Sequence, residues 1–102
     1  MERMEALRKK AIFQAARRAI LENEMFLRDY VTNHLPESYT EDDLEAFIAM
    51  LVRMFDNDLF DLVMGVKTAE DLQELYDYRF MKDIQSFSEQ RRDEIKRAKG
   101  VL

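Results

Sequence analysis

The sequence predicts an all-α protein, a compact bundle of about five helices. Its 102 residues include only two glycines and one proline, so we expect few tight turns and long regular elements. Apolar residues recur at helical spacing along most of the chain, and no stretch shows the alternation that is typical of a strand. A chain of this length fits one domain with one small core. We therefore expect a single helical domain over residues 1–88 and a charged C-terminal extension over residues 89–102.

Two helices are predicted before the proline. The first is indicated by apolar residues that share one helical face, namely Met4, Leu7, Ala11, Ala15 and Ala16. From Ile20 the apolar stripe resumes on a shifted phase, which predicts a bend near Ala19. The second helix is expected to end at about His34, because Pro36 disfavours helical geometry at the residue before it.

The third helix has the strongest pattern. Thr40 and Asp43 have the spacing of a capping box, in which each side chain accepts a hydrogen bond from the other residue's backbone. The residues that follow have the spacing of a buried helical face, namely Leu44, Phe47, Ile48, Leu51 and Val52. This pattern predicts a helix whose apolar side faces the core.

Two more helices are predicted after it. Asp56 or Asp58 is expected to cap a short fourth helix, from Leu59 to Met64, which Gly65 ends in a left-handed conformation. Thr68 caps a fifth helix, whose predicted apolar stripe is Leu72, Leu75, Tyr76, Phe80, Ile84 and Phe87. Residues 89–102 carry few large apolar side chains, so this extension is expected to be a solvated helix that frays.

Charge is distributed unevenly along the chain. Residues 1–28 carry seven basic and four acidic side chains, residues 29–89 carry four and fifteen, and residues 90–102 carry five and two. The net charges are therefore +3, −11 and +3, within a total of −5. The acidic middle would repel a phosphate backbone, so no nucleic-acid partner is expected.

Several other functional classes are disfavoured by composition. Cysteine is absent, which excludes disulfides, thiolate zinc sites and thiol nucleophiles. Gly65 and Gly100 are too far apart to form a phosphate-binding loop, so no nucleotide cofactor is expected on this chain. No apolar run approaches the roughly 20 residues that span a bilayer, and no signal-peptide core is seen. We therefore expect a cytoplasmic chain without membrane insertion.

Neither catalysis nor metal binding is supported by the polar residues. His34 and Ser38 could form a base and a nucleophile, but the sequence implies no third catalytic group. A protonated histidine at a helix C-terminus is stabilised by the negative end of the helix dipole, which explains His34 without catalysis. The run Asp56–Asp61 crowds three carboxylates but lacks the glycine and distal glutamate of a calcium loop. Helix capping explains these carboxylates, so we expect no catalytic residue and no metal ligand.

The methionines could line an adaptable protein-binding groove. Most of them fall on or beside the apolar stripes, so core filling is expected for at least four of the five methionines Met25, Met50, Met54, Met64 and Met81. Met25 is the expected exception, because it lies next to a stretch rich in arginine and glutamate.

That stretch is "ARRAILENE", residues 16–24. Arg18 and Glu22 are four residues apart and would share a helical face. Two interpretations are open from spacing alone: an exposed ion pair that contributes about 0.3–0.5 kcal/mol, or a pair of side chains that contacts a partner.

Three segments in order resemble the SdhE-type FAD assembly factors that serve succinate dehydrogenase. They are "RRAILE" (residues 17–22), "TEDDLEAFIAML" (residues 40–51) and "DNDLFDLVMG" (residues 56–65), within a likeness that covers about residues 11–86. The first corresponds to the family's Arg-Gly-x-x-Glu motif and the third to its Asp-x-Asp-Leu segment. In this chain Ala19 stands where the family has glycine, and Leu62 stands where the family often has tryptophan.

The resemblance implies a five-helix protein that is not an enzyme. It implies binding to the flavoprotein subunit of succinate dehydrogenase or fumarate reductase, and promotion of covalent FAD attachment to that subunit, with the FAD held by the partner. It also implies a partner-binding surface, to which we assign Arg17, Arg18, Ala19, Glu22 and Met25. Because alanine replaces the family glycine, the alternative is a diverged helical adaptor with a different protein client.

Overall fold

The structure is a computed structural model, and it describes residues 3–98. Over that range the chain forms six α-helices and no strand, which confirms the all-α prediction. The elements are α1 (Arg3–Ala15), α2 (Leu21–Asp29) with a following π-helical turn (Tyr30–His34), α3 (Glu41–Arg53), α4 (Asp56–Met64), α5 (Ala69–Leu72) and α6 (Tyr78–Ala98). The chain divides into two compact units between Phe60 and Asp61. A single domain ending at residue 88 stays a prediction.

In the first unit, α1 lies against α3 and α2. Its contact face is built from small side chains, since Ala11 and Ala15 are fully buried. The rings of Tyr30 and Tyr39 each lie 6.3 Å from that of Phe47, in tilted pairs that are typical of packed aromatic residues. The other buried apolar residues of these three helices and the π-helical turn are Leu7, Phe26, Leu27, Val31, Leu44, Met50 and Leu51. This core fixes the ends of α1 and α3, which carry the candidate site.

The predicted bend near Ala19 is a complete break in the helix. α1 ends at Ala15 and α2 begins at Leu21, so five residues separate the two helices. Among the described residues, only glycine has a positive φ, so Ala19 has a backbone conformation that alanine adopts without strain. The alanine therefore neither makes the helix continuous nor distorts the junction.

α3 begins as predicted. Thr40 Oγ1 accepts a hydrogen bond from the Asp43 N–H at 3.1 Å, and Asp43 Oδ2 accepts one from the Thr40 N–H at 2.9 Å. The predicted buried face is wrong at its last member, because 63% of the Val52 surface is exposed, and Ile48 is only half-buried. Val52 lies one position past the buried Leu51, at the end of the helix, where its side chain lines an open groove instead of the core.

In the second unit, the predicted fifth helix is divided into α5 and α6. α5 is one turn long, capped by Thr68 and Asp71, and its first backbone N–H, at Ala69, donates to Gln85 Oε1 at 2.8 Å. The turn between α5 and α6 exposes 58% of Leu75, while the rest of the predicted stripe, except the partly exposed Phe87, is buried. Helical spacing is thus preserved across a break that periodicity alone does not reveal.

The end of α4 and the C-terminal part of α6 are joined by Arg92. Gly65 has φ = +81°, as predicted for a left-handed cap, and a β-carbon there would lie 3.0 Å from Arg92 Nη2. Arg92 Nη1 also donates to the Val63 carbonyl at 2.6 Å and to Ser88 Oγ at 3.0 Å. α6 therefore continues past residue 88 as an anchored helix to Ala98, and residues 99–102 of the predicted extension lie outside the described part.

Candidate functional site

The candidate site is the five-residue junction from Ala16 to Ile20, between α1 and α2. A helix break leaves backbone N–H groups without intrahelical acceptors. One of them, the Ala19 N–H, donates to Asp56 Oδ2 at 2.8 Å. Asp56 is the first residue of α4, so the junction is tied to a residue that lies 37 positions further along the chain.

Arg18 provides the second link. Its guanidinium donates from Nε to Asp56 Oδ1 at 2.7 Å, from Nη1 to the Leu51 carbonyl at 2.6 Å, and from Nη2 to the Met54 carbonyl. The Leu51 carbonyl lies in the last turn of α3 and the Met54 carbonyl directly follows that helix, where carbonyls lack intrahelical donors. Only 9% of the Arg18 side chain is exposed, so this cation acts as a buried C-terminal cap of α3.

Asp56 is the centre of the network. Besides Arg18 and Ala19, it contacts Asn23, which is fully buried and whose Nδ2 donates to the Asp56 carbonyl at 2.8 Å and to Oδ1 at 3.1 Å. Partial burial by itself would raise the pKa of the Asp56 carboxyl. The hydrogen bonds from Arg18, Ala19 and Asn23, together with the Arg18 charge, outweigh burial and hold that pKa below its ordinary value.

This lowered pKa predicts a specific pH dependence of stability. In acid the unfolded chain binds a proton at Asp56 more readily than the folded chain does, so stability increases with pH in that range. The Asp56 contribution is fully present above the unfolded aspartate pKa of about 3.9 and is lost as the pH falls through the lower folded value. We expect the difference in free energy of unfolding between the native chain and Asp56→Asn to be constant at neutral pH and to shrink in acid. Urea denaturation of both proteins across that range measures it, and a difference that grows on acidification would contradict the assignment.

The geometry changes what Arg18 is expected to do. Arg18 precedes α2 and pairs with Asp56, so the exposed Arg18–Glu22 ion pair that spacing suggested is not formed. Glu22 is an exposed residue in the first turn of α2, where the positive end of the helix dipole stabilises a carboxylate. Partner binding by the five assigned residues stays a prediction, in which Arg18 now acts by positioning the junction.

Exposed apolar side chains surround this fixed junction. We define the junction surface as Phe13, Arg17, Leu21, Met25 and Val52. The four apolar members are between 57% and 63% exposed, and Leu21 and Met25 are one helical turn apart on α2. Phe55, directly before Asp56, is 73% exposed. Exposed apolar residues gathered around one feature are typical of a protein-binding site.

An open groove of about 400 Å³ lies between the end of α1 and the end of α3, beside the junction. Its walls include Phe13 and Arg17 on one side and Leu51 and Val52 on the other, with Arg18 and Gln14 also lining it. Sequence reasoning missed Phe13, Leu21, Val52 and Phe55. Phe13, Leu21 and Phe55 lie near or between helix ends and outside the predicted buried stripes, which was the available signal, whereas Val52 fits the predicted stripe of α3.

The prediction for the methionines is confirmed in part. Met50, Met54 and Met81 are buried and Met25 is 62% exposed, as expected, but Met64 is 50% exposed, so three of the five methionines fill the core and not four.

His34 Nε2 lies 3.8 Å from Asp29 Oδ2, at the end of the π-helical turn. Among residues 3–98, no group of three His, Asp or Glu side chains is placed to hold a metal ion. None of the helices in that range has the length and apolar character needed to cross a membrane.

The unstrained backbone at Ala19 predicts the effect of restoring glycine there. Ala19→Gly is expected to lower the free energy of unfolding by about 0.4–1 kcal/mol, because glycine gives the unfolded chain more freedom and the native conformation does not require it. Chemical denaturation measures the change, with the exposed Ala46→Gly in α3 as a comparison. A more stable Ala19→Gly protein would mean that the junction is strained by the methyl group.

Comparison with known proteins identifies the family. No curated protein and no solved structure shows a significant match to the chain. A family model described as "flavinator of succinate dehydrogenase" matches residues 9–88, which include the junction, Asp56 and most of the six helices. The matched segment is well over half of the chain, and it contains all three segments on which the resemblance was based. The chain belongs to the family of flavinators of succinate dehydrogenase.

Proposed function

We propose that this protein is a non-catalytic assembly factor that binds the flavoprotein subunit of succinate dehydrogenase or fumarate reductase and promotes covalent attachment of FAD to it. The observation that carries the proposal is the junction surface: exposed apolar residues around a junction held by a buried ion pair, in a chain of the flavinator family. The junction surface offers an apolar area for contact with a partner, and membership of the family indicates which class of protein that partner is.

The junction surface is suited to binding because it is fixed before a partner arrives. Arg18, Asp56 and Asn23 hold the chain between α1 and α2 by side-chain hydrogen bonds of about 2.5–3.1 Å. A preorganised surface loses little conformational entropy on binding, so more of the contact energy appears as affinity. We assign direct contact to Arg17, Ala19, Glu22 and Met25, with Phe13, Leu21 and Val52 added from the structure.

FAD is proposed to stay with the flavoprotein throughout. The chain has no glycine-rich loop that could bind the pyrophosphate of a dinucleotide. The protein would therefore act on its partner, holding it so that the flavin and the residue that becomes linked to it are aligned for reaction. We propose that this takes place in the cytoplasm, where a chain without cysteine needs no oxidising environment.

Capture of the purified flavoprotein subunit by the tagged chain tests the proposal. We expect the native chain to retain the subunit at micromolar concentrations and a variant with an altered junction surface to lose it. Failure of the native chain to retain either flavoprotein would overturn the proposal. Consistent recovery of a different protein in place of both would support the helical adaptor, which Ala19 in the family's glycine position first suggested.

A further inference from the structure

Arg17 and Arg18 are adjacent, but the structure uses their charges differently. The Arg18 guanidinium is inside the network, with every nitrogen donating a hydrogen bond. Arg17 is exposed, and its guanidinium carbon lies 5.3 Å from the centre of the Phe13 ring. Stacking on an aromatic face restrains an arginine without neutralising it. Within residues 3–98 Arg17 forms no ion pair, so its charge is available at the edge of the groove.

A second groove on the same pair of helices provides an internal comparison. It has a volume of about 220 Å³, and its lining includes Arg3 and Lys10 of α1 with Glu45 of α3. There the protein supplies its own carboxylates, because Arg3 is paired with both Glu41 and Glu45. The groove beside Arg17 has no such carboxylate in its lining, which consists of Phe13, Gln14, Arg17, Arg18, Leu51 and Val52. In the second groove the arginine is therefore paired within the chain, whereas among the described residues Arg17 has no such ion pair.

We infer that the Arg17 groove receives an acidic side chain of the flavoprotein subunit, whose carboxylate pairs with the Arg17 guanidinium while Phe13 and Val52 cover the pair from water. A planar guanidinium can donate two parallel hydrogen bonds to a carboxylate. The apolar side chains of Phe13 and Val52, which line the groove together with polar groups, lower the local dielectric constant and strengthen such a pair. This inference rests on the proposed function and adds to it the chemistry of one contact, an aspartate or glutamate on the partner.

The test compares Arg17→Gln with Lys10→Gln, measured by calorimetric titration against the purified flavoprotein subunit at about 50 and 300 mM salt. Both changes remove one positive charge from the first 17 residues, but Lys10 lines the other groove. We expect Arg17→Gln to weaken binding about tenfold or more at low salt and to make affinity less dependent on salt. We expect Lys10→Gln to change affinity less than about threefold and Arg17→Lys to restore part of the loss.

The outcomes separate this inference from the proposed function. If the native chain binds the subunit and Arg17→Gln binds equally well at low salt, the partner carboxylate is excluded and the proposed function stands. Equal losses in Arg17→Gln and Lys10→Gln would show a general charge effect, which also overturns the inference. If the native chain does not bind, the proposed function and the inference both fail. Because Arg17 is exposed, the thermal midpoint of Arg17→Gln should stay within a few degrees of the native value.

Discussion

Asp56→Ala is expected to lower the free energy of unfolding by about 3–5 kcal/mol, which is a large part of the stability of a small domain. The change removes the carboxylate that pairs with Arg18 and accepts from the Ala19 N–H and from Asn23. The Arg18 side chain is only 9% exposed, so its charge would be left buried without its counter-ion. Urea denaturation followed by far-ultraviolet circular dichroism measures the loss.

Glu37→Ala is the matched control for this experiment. It also removes one carboxylate, but from an exposed position in the connection that precedes α3. We expect its free energy of unfolding to differ from the native value by less than about 0.5 kcal/mol. A similar small change in Asp56→Ala would show that the ion pair with Arg18 contributes little and that the junction is held by other contacts.

Replacing Leu21 and Met25 together by glutamate is expected to weaken capture of the flavoprotein subunit by at least about 30-fold. Both side chains are 62% exposed and lie on one face of α2, so the double variant places two charges where apolar contact is proposed. Glutamate is a good helix former, and stability should change by less than about 1 kcal/mol. Binding titration and thermal unfolding of the same preparation separate the two effects.

Val66→Glu with Leu75→Glu is the control for that variant. These residues are 70% and 58% exposed and belong to the second unit of the chain. The control adds the same charge to residues outside the junction surface and should bind the subunit as the native chain does. Equal weakening in both double variants would place the interface outside the junction surface or attribute the effect to net charge.

Local patterns predicted much of the fold. The capping box at Thr40 and the left-handed glycine at Gly65 follow from residue chemistry within a few positions, and both were confirmed. The break near Ala19 was visible as a change of phase in the apolar stripe. The division between α5 and α6 was not visible, because buried residues keep helical spacing across the turn between them.

The candidate site was predictable in position but not in detail. Sequence spacing could place Arg18 beside Glu22 on one helix, but its observed partner Asp56 lies 38 residues away. Which of two adjacent arginines points inward depends on where α3 ends, and this is a tertiary property. Likewise, Val52 fits the apolar spacing of α3, and only the packing of α1 against that helix leaves it at an open groove.

The amount of covalent flavin on the flavoprotein subunit measures directly whether this protein promotes attachment of FAD. The gene for this chain is deleted, and the subunit is examined for flavin fluorescence in a denaturing gel, with the amount of polypeptide measured in parallel. We expect loss of fluorescence at an unchanged amount of subunit, restored by the native chain but not by the Leu21→Glu, Met25→Glu variant. Unchanged flavin labelling in the deletion strain would contradict this expectation.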